Sequence, residues 1–214
     1  MTRIVCILAL GVVLQGEIID RIAVTIGTRV IPESEITQMM RLAAFIDGRE
    51  PDFSVEAKKK GAETVISQVL LIQEMDDTRF TVPSMAEVIG QWNELIKPRY
   101  ATDEAYQAEL AKRRITDEEV RLYLQAMIRA VEFIDLRFTR GQQVSSDEIA
   151  AYYSKEYREY WEKENRGKPM PPLEEVSQEI EEWILAEKTE TASEEWLRQA
   201  RTRAQLRYRE EVFQ

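Results

Sequence analysis

Apolar side chains recur at the spacing of an amphipathic helix through most of this chain, whereas strand-like alternation occurs only near its two ends. The alternating segments are residues 20–26 and residues 205–212. A period of two is typical of a strand and a period near 3.6 of a helix. The sequence therefore predicts a mainly α fold, a multi-helix domain with a small β element formed by an N-terminal hairpin and the C-terminal strand.

The N-terminal strand is predicted with Ile22 and Val24 on one face and Ala23 on the opposite face. Gly27 then fits the first position of a two-residue hairpin turn, because glycine tolerates the positive φ that such a turn requires. Residues 29–31 can return as a short partner strand. The alternation at the C-terminus predicts a further strand that pairs near this hairpin.

Helix starts are marked by residues that suit the first turn of a helix. Pro32 opens the first predicted helix, Ser54 caps the second, and Thr102 begins another. A Ser or Thr followed three residues later by Glu is a capping box, in which each side chain accepts a hydrogen bond from the other residue's backbone N–H. Three capping boxes are predicted, at Ser84 with Glu87, Thr116 with Glu119, and Ser145 with Glu148.

The strongest loop signal lies in residues 165–172, Asn-Arg-Gly-Lys-Pro-Met-Pro-Pro. Two short amphipathic helices are predicted after it, one that contains Ile180 and one that contains Trp196. The dense acidic run on the first of these, from Glu174 to Glu187, is interpreted as a solvated helix face and not as a cation site.

Histidine is absent from the 214 residues, and the only cysteine, Cys6, lies in an apolar N-terminal run. Imidazole and thiolate supply most general bases, nucleophiles and zinc ligands at neutral pH. Composition therefore excludes a Ser-His-Asp triad, a Cys-His dyad and an ordinary zinc site, and the sequence has no Gly-rich phosphate loop of the Walker type. We expect binding and not catalysis, with no cofactor and no metal.

Residues 1–16 have the form of a secretory signal, in which Arg3 precedes a short apolar run that ends near Gly16. That run is about half of the roughly 20 apolar residues that span a membrane, so we expect no stable membrane insertion after its removal. The expected location is periplasmic or otherwise extracytoplasmic.

Nucleic acid is not an expected partner, because the formal net charge is −10 and only Lys58-Lys59-Lys60 forms a basic cluster.

Residues 20–36, Asp-Arg-Ile-Ala-Val-Thr-Ile-Gly-Thr-Arg-Val-Ile-Pro-Glu-Ser-Glu-Ile, resemble the opening of mature periplasmic chaperones of the SurA family. Residues 173–208 likewise resemble the C-terminal segment of that family, which returns to the N-terminal domain. Four intervening stretches are similar in the same order, namely residues 65–75, 82–84, 102–138 and 144–153.

After the predicted signal peptide at 1–16, the resemblance implies a SurA N-terminal-like helical chaperone domain at 17–140. A helix and Pro-rich linker follow at 141–168, and C-terminal helices and a strand at 169–214. Longer family members carry a parvulin-type prolyl isomerase, whose site uses histidines, in the part that corresponds to the stretch between Tyr153 and Leu173. This chain has neither the insert nor a histidine, so the resemblance implies the chaperone scaffold without the isomerase.

A chaperone that holds many unfolded segments needs adaptable apolar surface, which methionine and aromatic side chains provide. Three groups of such residues are candidates for peptide binding, and packing inside the protein is the alternative for each of them. The candidates are Met39 and Met40 on the first helix, Trp92, Tyr100 and Tyr106 around Pro98, and Tyr152, Tyr153, Tyr157, Tyr160 and Trp161 on a later helix.

The sequence thus predicts an ATP-independent extracytoplasmic chaperone for unfolded or unassembled envelope or secreted polypeptides, without isomerase activity. Two alternatives stay open. One is a secreted enzyme, either related to peptidyl-prolyl isomerases or a carboxylate-based hydrolase. The other is a helical adaptor with one dedicated protein partner, which predicts a single stoichiometric complex in place of a range of clients.

Overall fold

The computed structural model describes residues 20–214, and the predicted signal segment with Cys6 lies outside the described residues. Within this range the protein is mainly helical and carries a small three-stranded antiparallel sheet, which confirms the predicted fold class. None of the helices in residues 20–214 combines the length and the apolar character needed to cross a bilayer.

The sheet joins the two ends of the described chain. Strands β1 (Ile22–Ile26) and β2 (Arg29–Pro32) form a hairpin whose turn holds Gly27 at φ 56°. Strand β3 (Leu206–Tyr208) pairs antiparallel with the other edge of β1, so the strand order is β2-β1-β3. The predicted return of the C-terminus to the hairpin is confirmed.

At the start of β1 the burial of side chains does not follow the period of two. Ala23 is fully buried, and Ile22 is 43 % exposed. The pairing register with β2 shifts between Ile22 and Val24. An irregularity of this kind interrupts the strict alternation of side chains between the two faces, and a period-two pattern cannot reveal it.

The helices of the first half begin where the sequence predicts. Pro32 and Ser54 precede the first two helices, and the Ser54 side chain accepts a hydrogen bond from the backbone N–H of Ala57. All three predicted capping boxes are present with both of their hydrogen bonds. The helices are α1 (Glu33–Ile46), α2 (Val55–Asp77), α3 (Met85–Leu95), α4 (Asp103–Arg113) and α5 (Asp117–Ile134), and a π-helical turn (Asp135–Thr139) continues α5.

The second half forms a pair of helical segments joined by the predicted loop 165–172. Helix α6 (Ser146–Tyr152) continues through a π-helical turn (Tyr153–Tyr157) into α7 (Arg158–Glu164). Helix α8 (Leu173–Arg203) then runs for 31 residues without interruption.

The prediction of two short helices after residue 172 is therefore wrong. Residues 185–195 contain no Gly or Pro that would end a helix. The apolar positions of α8 change face along its length, because Ile180 and Ile184 pack against α6 and α7 while Trp196 and Ala200 pack against α1, α2 and α5. A change of face in one continuous helix looks, in the sequence, like two separate amphipathic helices.

Buried side chains divide the molecule into a body and an arm. The body comprises residues 20–139 and 189–214, and its core lies between the sheet, α1, α2, α5 and the C-terminal end of α8. The arm comprises residues 144–188, with a separate small core around Tyr157, Val176 and Ile180. At the base of the arm the hydroxyl oxygens of Thr139 and Thr189 lie 3.0 Å apart within hydrogen-bond distance.

The C-terminal segment is fastened to the body through Glu63 on α2. Arg201 forms an ion pair with the Glu63 carboxylate and donates a hydrogen bond of 2.9 Å to its backbone carbonyl. The Tyr208 hydroxyl donates to the same carboxylate at 2.6 Å. Val212 and Phe213 then enter the body core, each only 4 % exposed.

Candidate binding surfaces

Met39 and Met40 belong to the body core and also line a groove between α1 and α2. Each methionine is 9 % exposed, and the groove has a volume of about 410 Å³. Gly61 on α2 allows this packing, because a Cβ atom at that position would lie 2.8 Å from the Met40 sulfur. The rim of the groove carries both signs of charge, including Arg49 and Asp52.

Trp92, Tyr100 and Tyr106 are brought together with Phe45 into one aromatic cluster. The Tyr106 ring lies edge-on to Trp92 and Tyr100, with centroid distances of 5.5 and 5.4 Å. The Phe45 ring is stacked on Tyr100 at 6.2 Å. The cleft beside the cluster has a volume of about 80 Å³, which is room for one small side chain only.

The Tyr106 hydroxyl fixes this cluster. It donates to a carboxylate oxygen of Asp117 at 2.7 Å and accepts from the Trp92 indole N–H at 3.2 Å. Burial and then the hydrogen bond to Asp117 raise the pKa of Tyr106 above its ordinary value. These contacts join α3, α4 and the start of α5, and they leave Trp92 and Tyr100 half-buried.

Three of the five arm aromatics, Tyr153, Tyr157 and Trp161, pack inside the arm. Tyr157 is 1 % exposed, and its ring lies 5.5 Å from that of Trp183 on α8. The Tyr153 hydroxyl donates to the Pro171 carbonyl at 2.7 Å, and the Trp161 indole N–H donates to the Lys168 carbonyl at 3.4 Å. Tyr153 and Trp161 therefore hold the 165–172 loop against the helices.

Tyr160 and Tyr152 differ from their neighbours. Tyr160 is 45 % exposed while its ring contacts Trp183 edge-on at 5.0 Å. Tyr152 is half-buried and lines a second groove, between α6 and α8, with a volume of about 700 Å³. The floor of this groove is apolar and comes from Ala151, Tyr152, Ile184 and Ala192.

The rim of the α6–α8 groove is acidic. It carries four carboxylates and one ammonium group, those of Glu148, Glu156, Glu187, Glu195 and Lys188.

Ion pairing neutralises part of this rim. Lys188 pairs with Glu148 at 2.5 Å, and this contact together with hydrogen bonds from Ser145 lowers the pKa of Glu148 to about 2. Hydrogen bonds from Arg198 and Gln199 lower the pKa of Glu195 to about 2. Burial, followed by the nearby charges of Glu187 and Glu156, raises the pKa of Tyr152.

Several large apolar side chains stay exposed outside the predicted groups. On α5, Met127 is 38 % and Val131 is 65 % exposed, and on α3, Met85 is 43 % and Ile89 is 39 % exposed. Each pair is spaced four residues apart, so it forms an apolar strip along one side of its helix. The sequence signal that could have revealed the strip on α5 is an excess of apolar residues. Residues 120–138 contain more of them than one face of a helix can bury.

Comparison with known protein families finds no family model that matches this chain, and comparison with curated proteins finds no match either. Within residues 20–214, no group of three or more acidic side chains is placed to hold a metal ion. The described surface instead offers apolar floors, charged rims and exposed apolar strips, which are suited to binding a polypeptide.

Proposed function

We propose that this protein is an ATP-independent extracytoplasmic chaperone that holds unfolded or unassembled envelope or secreted polypeptides and has no isomerase activity. The observation that supports this proposal best is the spread of exposed apolar side chains over separate elements. Val82 is 52 %, Leu122 is 51 % and Val131 is 65 % exposed, and they lie before α3, early in α5 and late in α5. A protein that holds varied unfolded segments needs several weak apolar contacts in place of one enclosed pocket.

The charge of the chain is compatible with this role. Exposed apolar surface promotes self-association, and a large net charge of one sign opposes it. The formal net charge of −10 therefore allows the protein to stay dispersed while apolar strips such as Met127 and Val131 face solvent.

The arrangement of body and arm adds support through the SurA resemblance. By that resemblance, a C-terminal segment returns to the N-terminal domain, and β3 pairs with β1 in this way. The α6–α7 segment is followed after an eight-residue loop by α8, at the place in the sequence where longer family members carry an isomerase. The proposal therefore assigns polypeptide binding to the scaffold alone.

Light scattering from thermally unfolding citrate synthase tests the proposal in buffer without nucleotide. Equimolar protein is expected to suppress most of the scattering. A Met127→Gln, Val131→Gln double variant is expected to suppress less, because it removes an apolar strip without opening the core. Glu132→Gln, an exposed change on the same helix, is the matched control and should behave as the parent protein. Absence of suppression by the parent protein at any ratio up to tenfold excess would contradict the proposal.

A further inference from the structure

The α6–α8 groove combines an apolar floor with an uneven distribution of charge. Its floor is low because Ala151 on α6 and Ala192 on α8 carry small side chains on the two facing helices. Tyr152 and Ile184 supply the larger apolar contacts. At about 700 Å³ the groove is large enough to hold several side chains of an extended segment.

Not every charge on the rim is available to a ligand. The Lys188 ammonium group already has partners within the protein, because it pairs with Glu148 at 2.5 Å and donates a hydrogen bond to the Gln143 carbonyl at 2.7 Å. Glu195 accepts two hydrogen bonds from Arg198, at 2.8 and 2.7 Å. The only basic group of the rim and two of its carboxylates are therefore already paired.

Two carboxylates keep unused acceptor capacity. Glu156 pairs only with its neighbour Lys155, at 3.1 Å between two exposed side chains. Glu187 forms no ion pair within residues 20–214. The ion pairs of the rim involve its other three carboxylates, those of Glu156, Glu148 and Glu195. Both carboxylates line the same groove as Tyr152, whose pKa is raised first by burial and then by the charges of Glu187 and Glu156.

We propose that this groove binds extended client segments in which Lys or Arg residues stand beside small or apolar residues. The apolar side chains lie on Tyr152 and Ile184, and the cationic groups reach Glu156 and Glu187. A segment with carboxylates in those positions would meet like charge and would be rejected. This inference rests on the proposed chaperone function and adds a preference among its clients.

Fluorescence anisotropy with two labelled unstructured peptides tests the preference. Both contain the same Ala, Leu, Gly and Ser residues, and one carries three Lys residues where the other carries three Gln residues. The parent protein is expected to bind the Lys peptide about fivefold more tightly, because two exposed pairs of modest strength are added, one with Glu156 and one with Glu187. High salt should remove most of this difference, since screening weakens exposed ion pairs.

The Glu156→Gln, Glu187→Gln double variant locates the site. It should bind the Lys peptide about fivefold more weakly than the parent protein and leave the Gln peptide unchanged, since two exposed pairs are lost. Glu181→Gln, Glu182→Gln is the matched control, because it makes the same change of charge on α8 at exposed positions outside the groove lining. Full retention of the preference in the groove variant, or an equal loss in the control, would overturn the inference.

A steric variant gives an independent measurement. Ala151 is exposed, so Ala151→Trp fills the groove without disturbing a core and should weaken both peptides. Unchanged binding of both peptides to this variant would place the site elsewhere and overturn the inference. The citrate synthase assay separates the two proposals. If only the groove assignment is wrong, the protein still suppresses aggregation; if the chaperone function is wrong, it does not.

Discussion

At the scale of single residues, the Tyr106 hydroxyl links three helices of the body through two hydrogen bonds. Tyr106→Phe leaves the Asp117 carboxylate and the Trp92 indole N–H without this partner, so we expect a loss of about 1–2 kcal/mol in the free energy of unfolding. Urea titration followed by tryptophan fluorescence measures it. Tyr160→Phe is the control, since Tyr160 is exposed and its hydroxyl forms no hydrogen bond within residues 20–214; an equal loss there would refute the assignment.

Tyr208 should report the attachment of the C-terminal segment through its pKa. Burial and the hydrogen bond to Glu63 raise the pKa of Tyr208 to about 12. A hydroxyl whose pKa is raised in the folded state adds stability that is complete below the unfolded value, about 10, and is lost as pH rises from there to the folded value. NMR titration of ring-labelled tyrosine should show this late ionisation, and Glu63→Gln should move it towards 10. A Tyr208 that titrates near 10 in the parent protein would contradict the contact.

The residue-scale contacts differ in how far the sequence predicts them. A capping box joins residues three apart, so Ser84 with Glu87 is visible in the chain. The Glu63 contacts of Arg201 and Tyr208 join residues more than a hundred positions apart, and no local pattern marks them. Met40 and Gly61 are likewise paired only by the packing of two helices.

At the scale of elements, the capping residues at the helix starts contribute measurably to the free energy of unfolding. Thr116→Ala removes the acceptor for the Glu119 backbone N–H at the start of α5, and the expected loss is about 1 kcal/mol in the free energy of unfolding. Thermal and urea unfolding measure it. Thr64→Ala, at an exposed position within α2, is the control and should be neutral or slightly stabilising. A loss of unfolding free energy at Thr64 comparable to that at Thr116 would show that the cap has no special role.

The approach of α1 to α2 depends on Gly61. Gly61→Ala places a methyl group 2.8 Å from the Met40 sulfur and 3.2 Å from a methyl group of Ile36. The strain of overpacking should outweigh the gain in helix propensity and leave a net loss of about 1 kcal/mol.

Gly90→Ala is the matched exchange on α3, where nothing beyond the adjoining stretch of its own helix lies within 4 Å of the added methyl group. It should stabilise the protein by about 0.5–1 kcal/mol. Calorimetric melting of the two variants compares them directly. Two shifts of the same sign and size would contradict the close packing of α1 on α2.

Element boundaries were predictable where a local chemical signal exists. The starts of α2, α3, α4 and α5 follow from their capping residues. The continuity of α8 did not follow, because the apolar face changes with its packing partner, from Tyr157 of the arm to the body core. The π-helical turns at Asp135–Thr139 and Tyr153–Tyr157 also carry no pattern of their own in the sequence.

At the scale of the whole molecule, one helix belongs to both parts. The first half of α8 completes the arm, and its second half packs in the body and leads into β3. The alternation at both ends of the chain was enough to predict that the C-terminus returns to the hairpin. The α6–α8 groove was not predictable beyond Tyr152, because its shape depends on how two distant segments pack and which small residues face each other.

The proposed function requires that this scaffold bind polypeptides because they are unfolded. Equilibrium binding of one polypeptide in two states tests it most directly, with reduced and carboxymethylated α-lactalbumin as the unfolded form and intact α-lactalbumin as the native form. Both are labelled identically and titrated with the protein in buffer without nucleotide. We expect saturable binding of the unfolded form and none of the native form. Failure to bind the unfolded form, or equal binding of both forms, would contradict it.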